Sequence, residues 1–115
     1  MKRKKRPASQ SEAMKLRWKK RIVFEKGYTE MCAKWMAERL EELIDHLQYG
    51  HAVIAYQKQN GDFRLVKATL IYYEAEFHKK YDPTQIEGAV VYWNVDEQRW
   101  TTFQMENFME WRPIV

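Results

Sequence analysis

Cysteine is almost absent from this 115-residue chain. Its single thiol, Cys32, excludes an internal disulfide, and no cluster of cysteines offers a metal-binding spacing. Glycine is scarce too, and four residues leave no glycine-rich loop to cradle a nucleotide phosphate. No apolar run approaches the ~20 residues of a membrane span. The N-terminus is basic but lacks the apolar segment of a secretory signal. These absences point to a soluble, cytoplasmic protein that does not enter a membrane. What is present is apolar content of 45%, with five Trp, seven Tyr and five Phe, enough for the core of one domain. Folding a chain of this length should bury roughly 65% of its unfolded surface.

The charges are sorted along the chain. Residues 1–26 hold eleven Lys or Arg against Glu12 and Glu25, a net of +9, while the other 89 residues carry a net of −5. A basic end on an acidic body suggests contact with a polyanion through that end. Lys2, Arg3, Lys4, Lys5 and Arg6 form an uninterrupted cationic arm before Pro7, suited to neutralising phosphates on DNA or RNA. It would also serve as a solubilising tail or, in a eukaryotic host, an import signal.

Beyond the arm, Ser9 and Glu12 fit a capping box, with Ser11 as the competing cap. A short cationic helix is predicted over residues 13–21. Met14 and Trp18 fall four apart on one face with Leu16 beside them, and Lys15, Arg17, Lys19, Lys20 and Arg21 cover most of the rest. Such a helix suits a phosphate backbone or a partner helix, with Trp18 either joining that contact or packing on the domain. After Gly27 a second helix is predicted from Thr29 and Glu30 to about Tyr49, ended by Gly50. Its apolar stripe is Cys32, Met36, Leu40, Leu43 and Leu47, widened by Met31, Trp35 and Ile44. The stripe would pack on the following domain or form a dimer seam. The helix pair is a poor match to a helix-turn-helix, because the connection is long and the second helix is acidic.

From His51 the period becomes alternating. Strands are predicted over 51–58 and 63–70, joined by a two-residue type I′ turn at Asn60 and Gly61. Residues 71–87 read as an irregular loop in which Tyr72, Tyr73, Phe77 and Tyr81 interleave with His78, Lys79 and Lys80. Strands follow at 89–95 and 99–104, then one helical turn at 105–108 and a last strand at 109–112. Trp93, Phe103 and Phe108 are the expected core rings, with Tyr92 and Trp100 facing outward. The expected class is α+β: a basic arm and short helix over 1–26, an amphipathic helix over 27–50, and a five-stranded SH3-like β-barrel over 51–115.

The hairpin around Lys58, Gly61 and Arg64, the Ala68-Thr69-Leu70 strand end, and the hairpin carrying Trp93, Asn94, Trp100 and Phe103 carry a resemblance. They resemble an uncharacterised family of small SH3 β-barrel proteins from gut bacteria, their phages and mobile elements. The resemblance covers about residues 51–112 and implies the barrel fold without a catalytic set. Thr101 stands where that family often has Arg or Lys, so any contact made by that charge would be absent.

Three histidines offer little for catalysis. His46 and His51 straddle a predicted helix end, and His78 lies near Glu74, Glu76 and Asp82 without diagnostic metal spacing. The expectation is a non-enzymatic protein with no cofactor or metal. Its leading role is sequence-nonspecific binding of DNA or RNA through Lys2, Arg3, Lys4, Lys5, Arg6, Lys15, Arg17, Trp18, Lys19, Lys20 and Arg21, with Lys79 and Lys80 bordering the same surface. The alternative is a protein-interaction adaptor, a homodimer or a minor structural component that uses the barrel groove or the helix over 29–49.

Overall fold

A computed structural model describes residues 6–115, so Lys2, Arg3, Lys4 and Lys5 of the predicted arm lie outside the described residues. The first helix, α1, spans Ala8–Lys26 and is more than twice the predicted length. Met14, Trp18 and Ile22, each four residues on, are all buried along one face. That continuous seam explains why the helix extends past its cationic middle. Gly27 ends it in the left-handed region at φ +69°, its N–H donating to the Val23 carbonyl at 2.8 Å. The expected capping box does not form. The helix starts after Pro7 without a side-chain cap, and the Ser11 hydroxyl donates instead to Glu41 Oε2 at 2.6 Å. A tertiary carboxylate has displaced the local backbone partner.

The second helix, α2, spans Glu30–Leu47, with the Thr29 hydroxyl accepting from the Cys32 N–H at 3.1 Å. Met36, Leu40, Leu43, Ile44 and Leu47 are buried as expected. Ala33 and Ala37 complete the covered face in place of Cys32, Met31 and Trp35, which are exposed. The apolar stripe is therefore wider in sequence than the face the fold covers.

Five antiparallel strands follow: β1 (His51–Gln57), β2 (Phe63–Thr69), β3 (Ala89–Asn94), β4 (Arg99–Gln104) and β5 (Phe108–Ile114). They form one curved sheet in the order β4-β3-β2-β1-β5. β1 pairs with β2 along its whole length, from His51↔Thr69 to Gln57↔Phe63. The β2–β3 pairing is confined to Ala68↔Asn94 and Thr69↔Trp93, so the remainder of those strands splay apart. A bulge between β1 and β5 at Ala55 and Tyr56 bends the sheet further. A 3₁₀ turn over Met105–Asn107 connects β4 to β5, the two ends of the sheet. This is the small five-stranded SH3-like barrel expected from the sequence. Pro113 lies within β5 opposite Ala52, where an edge strand tolerates its missing N–H.

Two local expectations are corrected. The β1–β2 connection is a five-residue loop rather than a type I′ turn, because only Gly61 takes a positive φ (+91°). Asn60 instead folds its side chain back, Oδ1 accepting from the Asp62 N–H at 3.0 Å. The faces of β3 are also reversed. Val90, Tyr92 and Asn94 point inward, whereas Val91, Trp93 and Val95 face out and are half-buried. Tyr92 can be buried because its hydroxyl pairs with that of Tyr56 at 2.7 Å. Burial, with Tyr56 beside it, pushes the Tyr92 phenol upward. Phe103 and Phe108 are core residues as expected, Phe103 stacking on Tyr56 with centroids 4.9 Å apart.

Candidate nucleic-acid interface

The cationic residues of α1 are drawn to three different places. Arg6 Nη2 donates to Glu41 and Asp45 at 3.0 Å, binding the helix start to the acidic side of α2. Burial alone would lower the Arg6 pKa, but the hydrogen bonds to Glu41 and Asp45 outweigh it and raise it. Lys15 reaches Glu12 and Glu41, and Lys19 reaches Glu30 at 3.1 Å. Trp18 is 1% exposed and belongs wholly to the core, so its ring is not part of any surface contact. That corrects its place among the candidate binding residues.

Arg17 and Arg21 of α1 are drawn instead toward the long connection between β2 and β3 and the end of β4. This connection carries a short helix, α3 (Tyr73–Phe77), and a 3₁₀ turn at Pro83–Gln85. Arg17 Nη2 donates to the Thr84 carbonyl at 2.7 Å. One turn later, Arg21 donates to Glu106 at 2.9 Å and to Gln104 at 3.2 Å, which raises its pKa chiefly through the Glu106 hydrogen bond. Its guanidinium lies so close over Gly88 that a Cβ there would stand 2.5 Å from Cζ. A side chain at position 88 would have to push that guanidinium, the far end of a flexible side chain, aside. Lys20 is exposed beside these two arginines.

Between α1 and the connection runs an open groove of ≈ 650 Å³. Arg21 lines one side, and Lys79, Lys80 and Tyr81 line the other, with Tyr73 and Val91 at its base. Residues almost sixty positions apart in sequence thus border one surface, Arg21 being the only cation of the first helix in its lining among the described residues. Asp82 and Glu87 also line it and temper its charge. Lys20, Lys79 and Lys80 are exposed and make no ion pair with any other described residue. The geometry can hold a phosphate from two sides.

The aromatic loop residues form a second feature on the outer face of β3 and β4. Trp93 and Trp100 are directly opposed across those strands, with ring centroids 5.3 Å apart. Tyr72 packs edge-on against Trp93, and Tyr73 and Phe77 pack against Trp100. α3 therefore exists to roof a cross-strand tryptophan pair. Its end is turned by His78 in the left-handed region at φ 59°, a turn role that the metal reading of His78 did not foresee. Among the described residues, no group of three or more His, Cys, Asp or Glu is placed to hold a metal ion.

The strand-end residues that carried the family resemblance have physical roles. The Thr69 hydroxyl is buried and donates to the Gly50 carbonyl at 2.7 Å, while the Leu70 N–H donates to the Leu47 carbonyl. Together they fasten the end of α2 to the end of β2. Asn94 Oδ1 accepts from the Glu97 N–H at 2.9 Å and shapes the β3–β4 turn, which Gln98 completes at φ 55°.

The curved five-stranded sheet with a 3₁₀ turn before its last strand defines a small SH3-like β-barrel protein. Residues 40–109 match the family described as WYL_2, Sm-like SH3 beta-barrel fold, and the chain belongs to that family. The match begins inside α2 rather than at β1, so the buried stretch Leu40–Leu47 of that helix is part of the family unit. No curated protein and no solved structure matches the chain. Among the described residues no helix is long and apolar enough to cross a membrane.

Proposed function

We propose that this is a small non-enzymatic accessory protein of a phage or mobile element that binds DNA or RNA through its phosphates without reading base sequence. The observation that carries the reading is the convergence of Arg21 on α1 with Lys79 and Lys80 on the β2–β3 connection along one groove. On the same helix Lys20 is exposed, and Arg17 is anchored on the Thr84 carbonyl of the connection. The basic run from Lys2 to Lys5 directly precedes Arg6, which is anchored on Glu41 and Asp45 of α2.

Fluorescence anisotropy with duplex and single-stranded oligonucleotides, titrated at several salt concentrations, tests this reading. Removing residues 1–26 would delete three core side chains, so neutralised variants are used instead. Lys79→Gln/Lys80→Gln should weaken duplex binding and flatten its log–log salt slope by about 0.9 for each phosphate no longer neutralised. A variant with Lys2, Arg3, Lys4 and Lys5 all changed to Gln should flatten it further. Binding that keeps the same affinity and slope in both variants would sink the proposal.

One observation favours a second reading, a protein-interaction adaptor or homodimer. Phe24 and Met31 are 85% and 84% exposed at the α1–α2 turn, with Tyr28 and Trp35 also exposed nearby in sequence. A salt-resistant dimer in light scattering that Met31→Glu dissolves would support this reading. A monomer at every concentration would remove the homodimer.

A further inference from the structure

The outer face of β3 and β4 carries an open pocket of ≈ 440 Å³. This falls within the roughly 300–1,000 Å³ typical of small-ligand sites. Tyr72, Trp93 and Trp100 supply three rings to its wall, and Glu76, Val95 and Gln98 supply most of the rest. Trp93 stands at 70° to Trp100 and at 75° to Tyr72, with centroids 5.3 and 5.9 Å apart. Neighbouring rings at such steep angles form a corner rather than a stack. Tyr73 and Phe77 pack on Trp100 but do not line the pocket, so α3 roofs that ring and leaves the corner beside Tyr72 open. Tyr72 itself stays 49% exposed.

Two features set the sign of charge this corner favours. Although the chain has 20 Lys or Arg, none lines the pocket among the described residues, and its one charged group is Glu76. Glu76 lies one helical turn from Tyr72, its N–H donating to the Tyr72 carbonyl at 3.1 Å. Its carboxylate makes no ion pair with any other described residue. The rings act in the same direction, because the face of an aromatic ring is its negative side. The Trp100 indole N–H is buried, so that ring offers the pocket no donor for an anion. The groove at α1, lined by Arg21, Lys79 and Lys80, has the opposite character.

We propose that this pocket binds a methylated ammonium group, Tyr72, Trp93 and Trp100 meeting its methyl shell while the Glu76 carboxylate balances its charge. A ring attracts a cation through its quadrupole, and the gain grows as the cation sheds its water. A bare ammonium is strongly hydrated, so an aromatic wall returns little of what its desolvation costs. Methyl groups remove that hydration and keep the charge. A metal ion fits the pocket poorly, since among the described residues no group of three or more His, Cys, Asp or Glu is placed to hold one. The same chemistry is available from a free cation such as choline or from a methylated lysine of another protein. The pocket shares no lining residue with the groove at α1, so this proposal and the phosphate-backbone reading fail independently.

Isothermal titration calorimetry of the full chain tests it with four probes. They are choline, its uncharged analogue in which a tert-butyl group replaces the trimethylammonium, and a short peptide carrying lysine in its trimethylated and unmethylated forms. Choline should bind saturably and about ten-fold more tightly than the analogue of the same shape, and the trimethylated peptide should exceed the unmethylated one by a similar factor. Tighter binding of the trimethylated peptide than of choline would assign a protein side chain as the source, and the reverse order would assign the free cation. Glu76→Gln, a change on an exposed residue, should weaken binding about three-fold, and Glu76→Lys should abolish it. Trp93→Ala should weaken it about ten-fold, and Trp93→Phe should recover part of that loss, which separates a missing ring from a damaged fold. Equal binding of choline and its uncharged analogue, an unaltered affinity in Glu76→Lys, or no saturable binding of any probe would overturn the proposal.

Discussion

Replacing Trp18 by alanine should remove a large share of the protein's stability, although the residue lies in the most basic stretch of the sequence. Its side chain is 1% exposed and stands between Met14 and Ile22 in a seam closed by α2. Cutting a buried Trp to Ala costs about 3–5 kcal/mol, combining lost transfer energy with the cavity left behind. One term opposes this: the indole N–H is buried with no hydrogen-bond partner among the described residues, and its removal returns some stability. The net expectation is a loss of about 3 kcal/mol, against a total of roughly 5–15 kcal/mol for a domain. Trp35→Ala is the control. That ring is 45% exposed and its removal should cost about 1 kcal/mol or less.

The assay is urea unfolding followed by far-ultraviolet circular dichroism, because fluorescence would change with the tryptophan count. With a slope of about 1–3 kcal/mol per molar urea, a 3 kcal/mol loss moves the midpoint by about 1 M or more. If Trp18→Ala and Trp35→Ala shift the midpoint equally, α1 is an appended element after all, and the argument that it belongs to the core fails.

Two further perturbations probe the polar contacts. Arg21→Met leaves the Glu106 carboxylate, only 6% exposed, without its guanidinium partner. The loss should be about 2 kcal/mol, below the 3–5 kcal/mol of a fully buried pair because Arg21 keeps a third of its surface in water. Glu106→Gln in the same background should recover part of it, and an additive double mutant would deny the coupling. Glu41 provides a pH test: burial alone would raise its pKa, but hydrogen bonds from Ser11 and Arg6 and the charge of Lys15 bring it below the usual 4.5. Its stabilisation is therefore complete above about pH 4.5 and is lost as pH falls through the lower folded value. Denaturation midpoints at pH 7 and pH 3 should differ more in the natural chain than in Glu41→Gln, and an equal or larger difference in the variant would contradict this.

The barrel was legible because its signals are local. Alternating apolar residues in β1, β3 and β4 and the tight turn at Asn94–Arg99 place each strand to within a residue or two. The face of β3 was not legible, since its alternation is apolar on both sides. Val90 and Tyr92 compete with Val91 and Trp93, and the choice falls to a hydroxyl partner, Tyr56, located 36 residues away. α1 was underestimated for a related reason. Three buried residues among nineteen are enough to dock a helix when a second helix supplies the rest of the seam, but they give almost no amphipathic signal among so many lysines and arginines. The groove at α1 was half visible. Lys79 and Lys80 could be linked to the first helix by charge, whereas the position of Arg21 is set by Gln104 and Glu106, 83 and 85 residues away, a pairing with no signature in one sequence.

The same docking alters what the sorted charges mean. Along the sequence, +9 is separated from −5, which suggests a cationic tail held away from an acidic body. In the fold the two halves are interleaved. Arg6 and Lys15 meet Glu41, Lys19 meets Glu30, and Arg21 meets Glu106, so much of the helix's charge serves to join α1 to the body. An arginine already paired at 2.9 Å must give up that bond, or share it, before it can hold a phosphate, and its net gain is correspondingly small. Counting cations therefore overstates the attraction of α1 for a polyanion. The weight shifts to exposed lysines that make no ion pair among the described residues, Lys20 and Lys26 on α1 and Lys79 and Lys80 on the connection among them, and to the basic residues before Arg6. If nucleic acid is bound, neutralising those lysines should cost more affinity than neutralising the same number of paired ones, Lys15 and Lys19 included.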